Sequence, residues 1–174
     1  KRKGYTFLGW FSDASDGTEI KETDVMGKQD ITVYAHWRAN KLTLHYHSGG
    51  AQERQYYGNT NFTPLPSGKD DVETETIAYD KKYQHFDWGL LKVSRLKKTG
   101  YHPNGADENW RVGSPESEHV VSATTAIADP YTGEKVAEYL GVLGKLEAGD
   151  TTVELYPVFY PNEYTVKYVA NAKD

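Results

Sequence analysis

The chain has no cysteine. That removes disulfides, thiol nucleophiles and cysteine-based zinc sites together. It does not locate the protein, because disulfides are optional in an oxidising compartment. The chain also lacks an excess of positive charge. Twenty lysines and arginines stand against 25 acidic residues, a net charge of −5, whereas a nucleic-acid surface wants a basic face. The pairs Lys81-Lys82 and Lys97-Lys98 are short and read as solvated. No apolar run approaches the roughly 18–20 residues of a membrane span. Lys1-Arg2-Lys3-Gly4 has no apolar stretch behind it, so it does not read as a signal peptide. The composition therefore points away from a nucleic-acid partner and from membrane insertion within this stretch, and nothing in it calls for a cofactor.

Aromatic residues are plentiful instead. With 14 tyrosines, 4 tryptophans and a single methionine, the core has to be built on aromatic and β-branched side chains, which suit pleated sheets. Sixteen glycines and seven prolines suit many turns. A length of 174 residues allows one or two domains.

The chain repeats itself. Tyr34, Trp37, Asn40, Leu44 and Tyr46 reappear as Tyr156, Phe159, Asn162, Val166 and Tyr168, each pair 122 positions apart with no gap between. Gly4-Tyr5 reappears as Gly100-Tyr101, and Trp10 as Trp110 after an insertion of four residues. The expected organisation is the back half of one unit over 1–38, a complete but expanded unit over 39–160, and the first strand of a further unit over 161–174.

Strands are expected where apolar and polar residues alternate. Tyr5-Thr6-Phe7 runs into Gly9-Trp10; Ile31, Val33, Ala35 and Trp37 share one face; Leu42, Leu44 and Tyr46 alternate with Thr43, His45 and His47. Gln52–Gly58 reads as a strand hairpinned to 41–48 through Gly49-Gly50. Further strands are expected over 73–79 and 120–127, while 88–96 mixes both periods. The spacing of Val136, Tyr139, Leu140 and Leu143 predicts one short helix over 134–146, ended by Gly144. The class is α+β, mostly β.

Lys3-Gly4-Tyr5-Thr6-Phe7-Leu8-Gly9-Trp10-Phe11, Asp16-Gly17-Thr18 and Asp30-Ile31-Thr32-Val33-Tyr34-Ala35-His36-Trp37 resemble the Listeria–Bacteroides repeat, the B repeat of internalin-type bacterial surface proteins. The resemblance is close over 1–37 and weaker over 41–160, where Leu42–Gly50, Lys98–Tyr101 and Leu155–Phe159 carry it. It implies tandem β-grasp-like modules, the central one enlarged by insertions, in a secreted, wall-associated protein. It carries over no catalytic residues, so no enzyme is expected. The implied function is a stalk or spacer module with a part in adhesion; the alternatives are a host glycan- or protein-binding module using the 64–119 insertion, and an accessory domain of a secreted hydrolase. The implied partners are neighbouring repeats of the same chain, with a host glycan or surface protein under the second reading.

Several residues invite chemistry. His45 and His47 lie side by side on one strand face, a spacing that can hold a metal. That face is opposite the core, the sequence fixes no third ligand, and two exposed histidines are the plain alternative. Asp70, Asp71, Glu73 and Glu75 offer oxygen ligands without the ordered spacing of a calcium loop. Asp13-x-x-Asp16-Gly17 reads the same way, beside a plain turn. Ser114, Ser117 and His119 lie close together but no nucleophile elbow is present. Trp88, Tyr101 and Trp110 are the binding candidates, since exposed Tyr and Trp stack on sugars and anchor interfaces. Trp10 and Trp37 hold repeat positions and are expected in the core, as is Trp110 by its correspondence with Trp10.

Overall fold

The computed structural model describes residues 1–25, 27, 29–56, 59–82, 93–103, 105, 108–123 and 131–169. It is mostly β. Strands β1 (Tyr5–Phe11), β2 (Glu19–Ile20) and β3 (Tyr34–Ala39) form an antiparallel sheet in the order β2-β1-β3. Then follow β4 (Lys41–His47), β5 (Glu53–Tyr56), β6 (Thr63–Pro64), β7 (Asp71–Ala78), β8 (Val93–Lys97), β9 (Tyr101–His102), β10 (Asn109–Val112) and β11 (Val120–Ser122). Helices α1 (Gly133–Tyr139) and α2 (Leu143–Ala148) precede β12 (Thr151–Pro157) and β13 (Tyr160–Pro161).

The centre is a five-stranded sheet ordered β11-β10-β12-β4-β7, with β4 and β12 parallel and every other pair antiparallel. A parallel pair needs a crossover, and here it contains both helices. That is the β-grasp-like layout the repeat implies. The alternation in β4 is realised fully: Leu42, Leu44 and Tyr46 are buried to 0 % exposure and face Val136, Leu140, Leu146 and Trp110 in one core. Each such aliphatic side chain contributes about 1.5–3 kcal/mol by leaving water.

Three expectations are corrected. The strand over 52–58 does not hairpin with 41–48. β4 pairs with β7 instead, and β5 pairs with β6 and β8 in a separate sheet. The cause lies in Gly49 and Gly50, both at positive φ (55° and 82°), a reversal that only glycine adopts cheaply and that takes the chain out of the sheet. The single helix is two. Gly141 at φ 69° ends the first after one apolar stripe has buried Val136 and Leu140, and Gly144 lies in the first turn of the second helix instead of ending the first. Finally, Trp10 is not in the core. It is half exposed on β1, with Phe7 packed edge-on against it and tilted against Trp37. Ile31 and Val33 lie before β3 and are exposed too. The ambiguous stretch 88–96 contains β8 and the expected strand over 120–127 is β11, which ends at Ser122 with Ala123 in a turn; residues 88–92 and 124–127 lie outside the described residues.

Candidate functional site

The hairpin β1–β3 meets the central module at one joint, built around Asn40. This residue is fully buried. Its N–H donates to Gly4 O at 2.8 Å, and its carbonyl accepts from Tyr79 N at 2.8 Å. Its side-chain Nδ2 donates to Leu146 O at 2.7 Å, and Oδ1 accepts from Thr6 Oγ1 at 2.7 Å. One asparagine thus ties the hairpin to the 78–80 turn and to a carbonyl in the last turn of α2, which has no partner inside the helix. A buried amide needs all these partners, since each one lost would cost about 1–3 kcal/mol.

The rest of the joint fits the same frame. Gly4, at φ 75°, lies under the ring of Tyr79, where a Cβ would come within 2.4 Å of a ring carbon. Tyr5 packs edge-on against Tyr79, with centroids 5.9 Å apart, and its hydroxyl donates to Asp80 Oδ2 at 2.5 Å. That hydrogen bond is the main reason the Tyr5 hydroxyl titrates above its ordinary range. Arg38 forks onto Asp150 through two 3.0 Å hydrogen bonds, and Asp150 also accepts from Lys41 N at 2.9 Å. These contacts, the Arg38 bonds first, hold the Asp150 carboxyl below the usual range.

The far end of the central module repeats the joint in register. Tyr5 pairs with Ala39 and Thr6 with Arg38; 96 and 122 positions on, Tyr101 pairs with Pro161 and His102 with Tyr160. Trp10 pairs with Ala35 and Ile20; Trp110 pairs with Pro157 and Val121. Asn162 N donates to Gly100 O at 2.9 Å, as Asn40 N does to Gly4 O. What differs is the cover. Gly100 keeps positive φ (81°) but has open space where Gly4 has Tyr79. Among the described residues the Asn162 side chain donates to the exposed hydroxyl of Tyr164 alone, at 3.3 Å. Tyr164, Val166 and Tyr168, the counterparts of Leu42, Leu44 and Tyr46, are 78, 67 and 91 % exposed.

A second cluster lies on the sheet face opposite the core. His45 Nδ1 lies 2.8 Å and His47 Nε2 2.6 Å from the same Glu154 oxygen, and His47 Nδ1 lies 2.7 Å from Asp70 Oδ2. Burial pushes His47 down, but the hydrogen bonds to Glu154 and Asp70 outweigh it and raise its pKa. Asp70 is likewise pushed up by burial and held low overall by His47, Ser48 and the Gly49 amide. Sequence reasoning found the two histidines and missed Glu154, which stands 107 residues from His47 in the chain.

The other candidates separate. Trp110 is buried to 0 % exposure against Tyr46. It is a packing residue, as its correspondence with Trp10 implied, and it offers no face to a ligand. Tyr101 is exposed, beside Phe159 and under the Lys98 ammonium at 4.4 Å. Trp88 lies outside the described residues. Among the described residues the acidic run gathers no cation site: Asp70 serves His47 and Ser48, Glu73 accepts from Tyr56, and Glu75 accepts from Tyr46. Asp13 accepts from Ser15 N and Oγ and closes a turn. Ser117 and His119 belong to the turn between β10 and β11, where Ser117 Oγ accepts from His119 N.

This geometry can be set beside known proteins. Residues 1–36 match the Listeria–Bacteroides repeat domain. The match covers most of the first hairpin, and the pairing register of that hairpin recurs at 101–161. The chain is also 34 % identical, over 198 aligned residues and 98 % of its own length, to a protein of Evansella cellulosilytica described provisionally as a Gly-rich membrane protein. It spans 22 % of that protein's length. No solved structure matches the chain. The repeat is one of bacterial surface proteins. Among the described residues no helix is long and apolar enough to cross a membrane.

Proposed function

We infer that this chain is a section of a tandem array in a bacterial surface protein. Its modules act as a non-catalytic spacer by docking rigidly end to end. The observation that carries this reading is the Asn40 joint and its uncovered copy at Asn162. At the first joint a hairpin from one unit is locked to the helix and turn of the next. At the second, the same hairpin base presents Gly100, Tyr101 and Asn162, and residues 163–169, expected as a strand but in none here, expose the counterparts of the side chains that β4 buries. The occupant that fits is another copy of the module. Its β4 counterpart would begin at residue 163, its Tyr79 counterpart would cover Gly100, and a carbonyl from its second helix would accept from Asn162 Nδ2. Buried joints of this kind limit bending, and repeats that touch only their neighbours add length in proportion to their number.

A fusion in which a second copy of residues 40–160 follows Pro161 tests the reading. The two copies are expected to unfold with coupled transitions, and the first is expected to withstand more denaturant than it does alone. Alanine in place of the joint asparagine between the copies should remove that gain. Two copies that unfold independently, with no gain for the first, would refute rigid docking.

A further inference from the structure

We propose that His45, His47 and Glu154 form a binding site for a divalent transition metal of the zinc class. The three ligand groups converge: one atom from each lies within 4.8 Å of the other two. Among the described residues this is the set of three His, Asp or Glu side chains that gathers in this way.

The backbone fixes the arrangement. His45 and His47 are two apart on β4 and so share a face. Glu154 stands directly opposite His45 in the parallel pairing of β4 with β12. All three therefore sit on the two central strands of the sheet, with no loop needed to bring them together. Two imidazole nitrogens and a carboxylate oxygen are a donor set that zinc accepts, leaving a fourth tetrahedral position for water. The ion would sit between groups that already meet at 2.6–2.8 Å. Metal bonds of about 2.0–2.1 Å place tetrahedral ligand atoms roughly 3.3 Å apart, so Glu154 must draw back from both rings by roughly half an ångström or more while the imidazole nitrogens settle to the same spacing. His45 and Glu154 are 27 and 36 % exposed at the side chain, enough for an ion to enter from solvent.

The surroundings hold the ligands in place. His47 presents Nε2 to the site while its other nitrogen meets Asp70 Oδ2. A carboxylate on the far side of a ligating histidine sets its tautomer and its orientation. Asp70 is fixed in turn: its Oδ1 accepts from Ser48 Oγ at 3.0 Å and from the Ser48 and Gly49 amides at 3.2 Å. The Tyr156 ring stacks flat on His47, with centroids 4.1 Å apart and planes within 7°. Asp70 and Tyr156 are positioning residues; His45, His47 and Glu154 are the ligands. A bound ion would clasp β4 to β12 and to the loop ending at Asp70, and it would stabilise the module by mass action because the unfolded chain has no such site.

Calorimetric titration of the whole chain with zinc chloride, beside thermal unfolding with and without the ion, tests the site. One zinc per chain and a raised Tm are expected. A cobalt titration should give the absorption of a tetrahedral centre. His45→Ala should lose both binding and the rise in Tm while keeping the metal-free fold, because its side chain is on the open face. Glu154→Gln should do the same. Asp70→Asn should weaken binding about 10–100-fold and keep the tetrahedral spectrum, as expected of a group acting through His47. No saturable zinc binding by the folded chain would overturn the proposal. So would unchanged affinity in both His45→Ala and Glu154→Gln, which would place the ion elsewhere.

Discussion

One hairpin occurs twice in this chain, once bare and once buried. In the first copy Trp10 is half exposed and Leu8 is 47 % exposed. In the second, Trp110 and Glu108 stand at the same positions, 100 residues on, and both are fully buried. The strand pairings are the same, so the hairpin's own geometry does not decide the burial. The neighbours do. β12 has β4 beside it and two helices in the crossover, whereas β3 has only β1 as a described partner. The aromatic face of the hairpin is core where β4 and the helices pack on it, and exposed where they do not.

Substitutions can break this comparison. The largest expected effect is at the tryptophans. Trp110→Ala should cost about 3–5 kcal/mol through lost burial and a cavity. Trp10→Ala in the same chain should cost under about 1 kcal/mol, and denaturant midpoints would show the gap. Equal losses would mean that the first hairpin is covered in solution.

Glu108 sharpens the comparison through pH. Among the described residues neither carboxylate oxygen meets a donor at good hydrogen-bond geometry, and burial pushes its pKa up to about 8 against only partial opposition from the Leu96, Asn109 and Val158 amides nearby. The folded state therefore holds a proton that the unfolded chain releases near its ordinary value of 4.5. Stability should fall as pH rises from about 4.5, by at most about 1.4 kcal/mol per pH unit, and level off above about 8. Glu108→Gln should flatten that slope and leave the chain more stable at pH 8. A slope unchanged by the substitution would contradict the burial of a titrating Glu108.

The joints give the next smaller contrast. Asn40→Ala strands the Leu146 carbonyl and should cost about 1–3 kcal/mol. Asn162→Ala should change the stability of this chain by less than about 0.5 kcal/mol. The glycines follow the same pattern. Gly4→Ala meets both a positive φ and the Tyr79 ring, whereas Gly100→Ala meets only the φ, a cost of about 1 kcal/mol. Guanidinium titrations of the four variants would rank them. A costly Asn162→Ala would show that its side chain already has buried partners.

The repeat was legible because it is written in spacing. The offset of 122 survives in the pairing register over 34–39 and 156–161, and the alternation of β4 survives as complete burial of Leu42, Leu44 and Tyr46. Long-range pairing was harder to read. β4 has two equally alternating neighbours downstream, and the choice of 71–78 over 52–58 depends on how Gly49 and Gly50 steer the chain, which periodicity does not encode. The third metal ligand escaped the sequence for the same reason. His45 and His47 were visible, but Glu154 joins them only across a parallel pair. One signal was present: Glu154 and Tyr156 alternate against Val153 and Leu155 as the histidines do against Leu44 and Tyr46. A β-grasp layout that sets the first strand beside the last would have placed them together. The exposure of Trp10 did not follow from its repeat position, because burial depends on the strands and helices beside the hairpin and β1 has only β2 and β3 as described partners.

The most direct test of the account is a distance across the Asn40 joint. The chain has no cysteine, so Ser15→Cys on the hairpin and Ser67→Cys on the central module can carry a pair of spin labels without background. Rigid docking predicts one narrow distance distribution by pulsed electron resonance, broadened when Asn40→Ala is added. A broad distribution in the otherwise native chain, unchanged by Asn40→Ala, would mean that the modules are loosely strung, and the spacer reading built on that joint would fail.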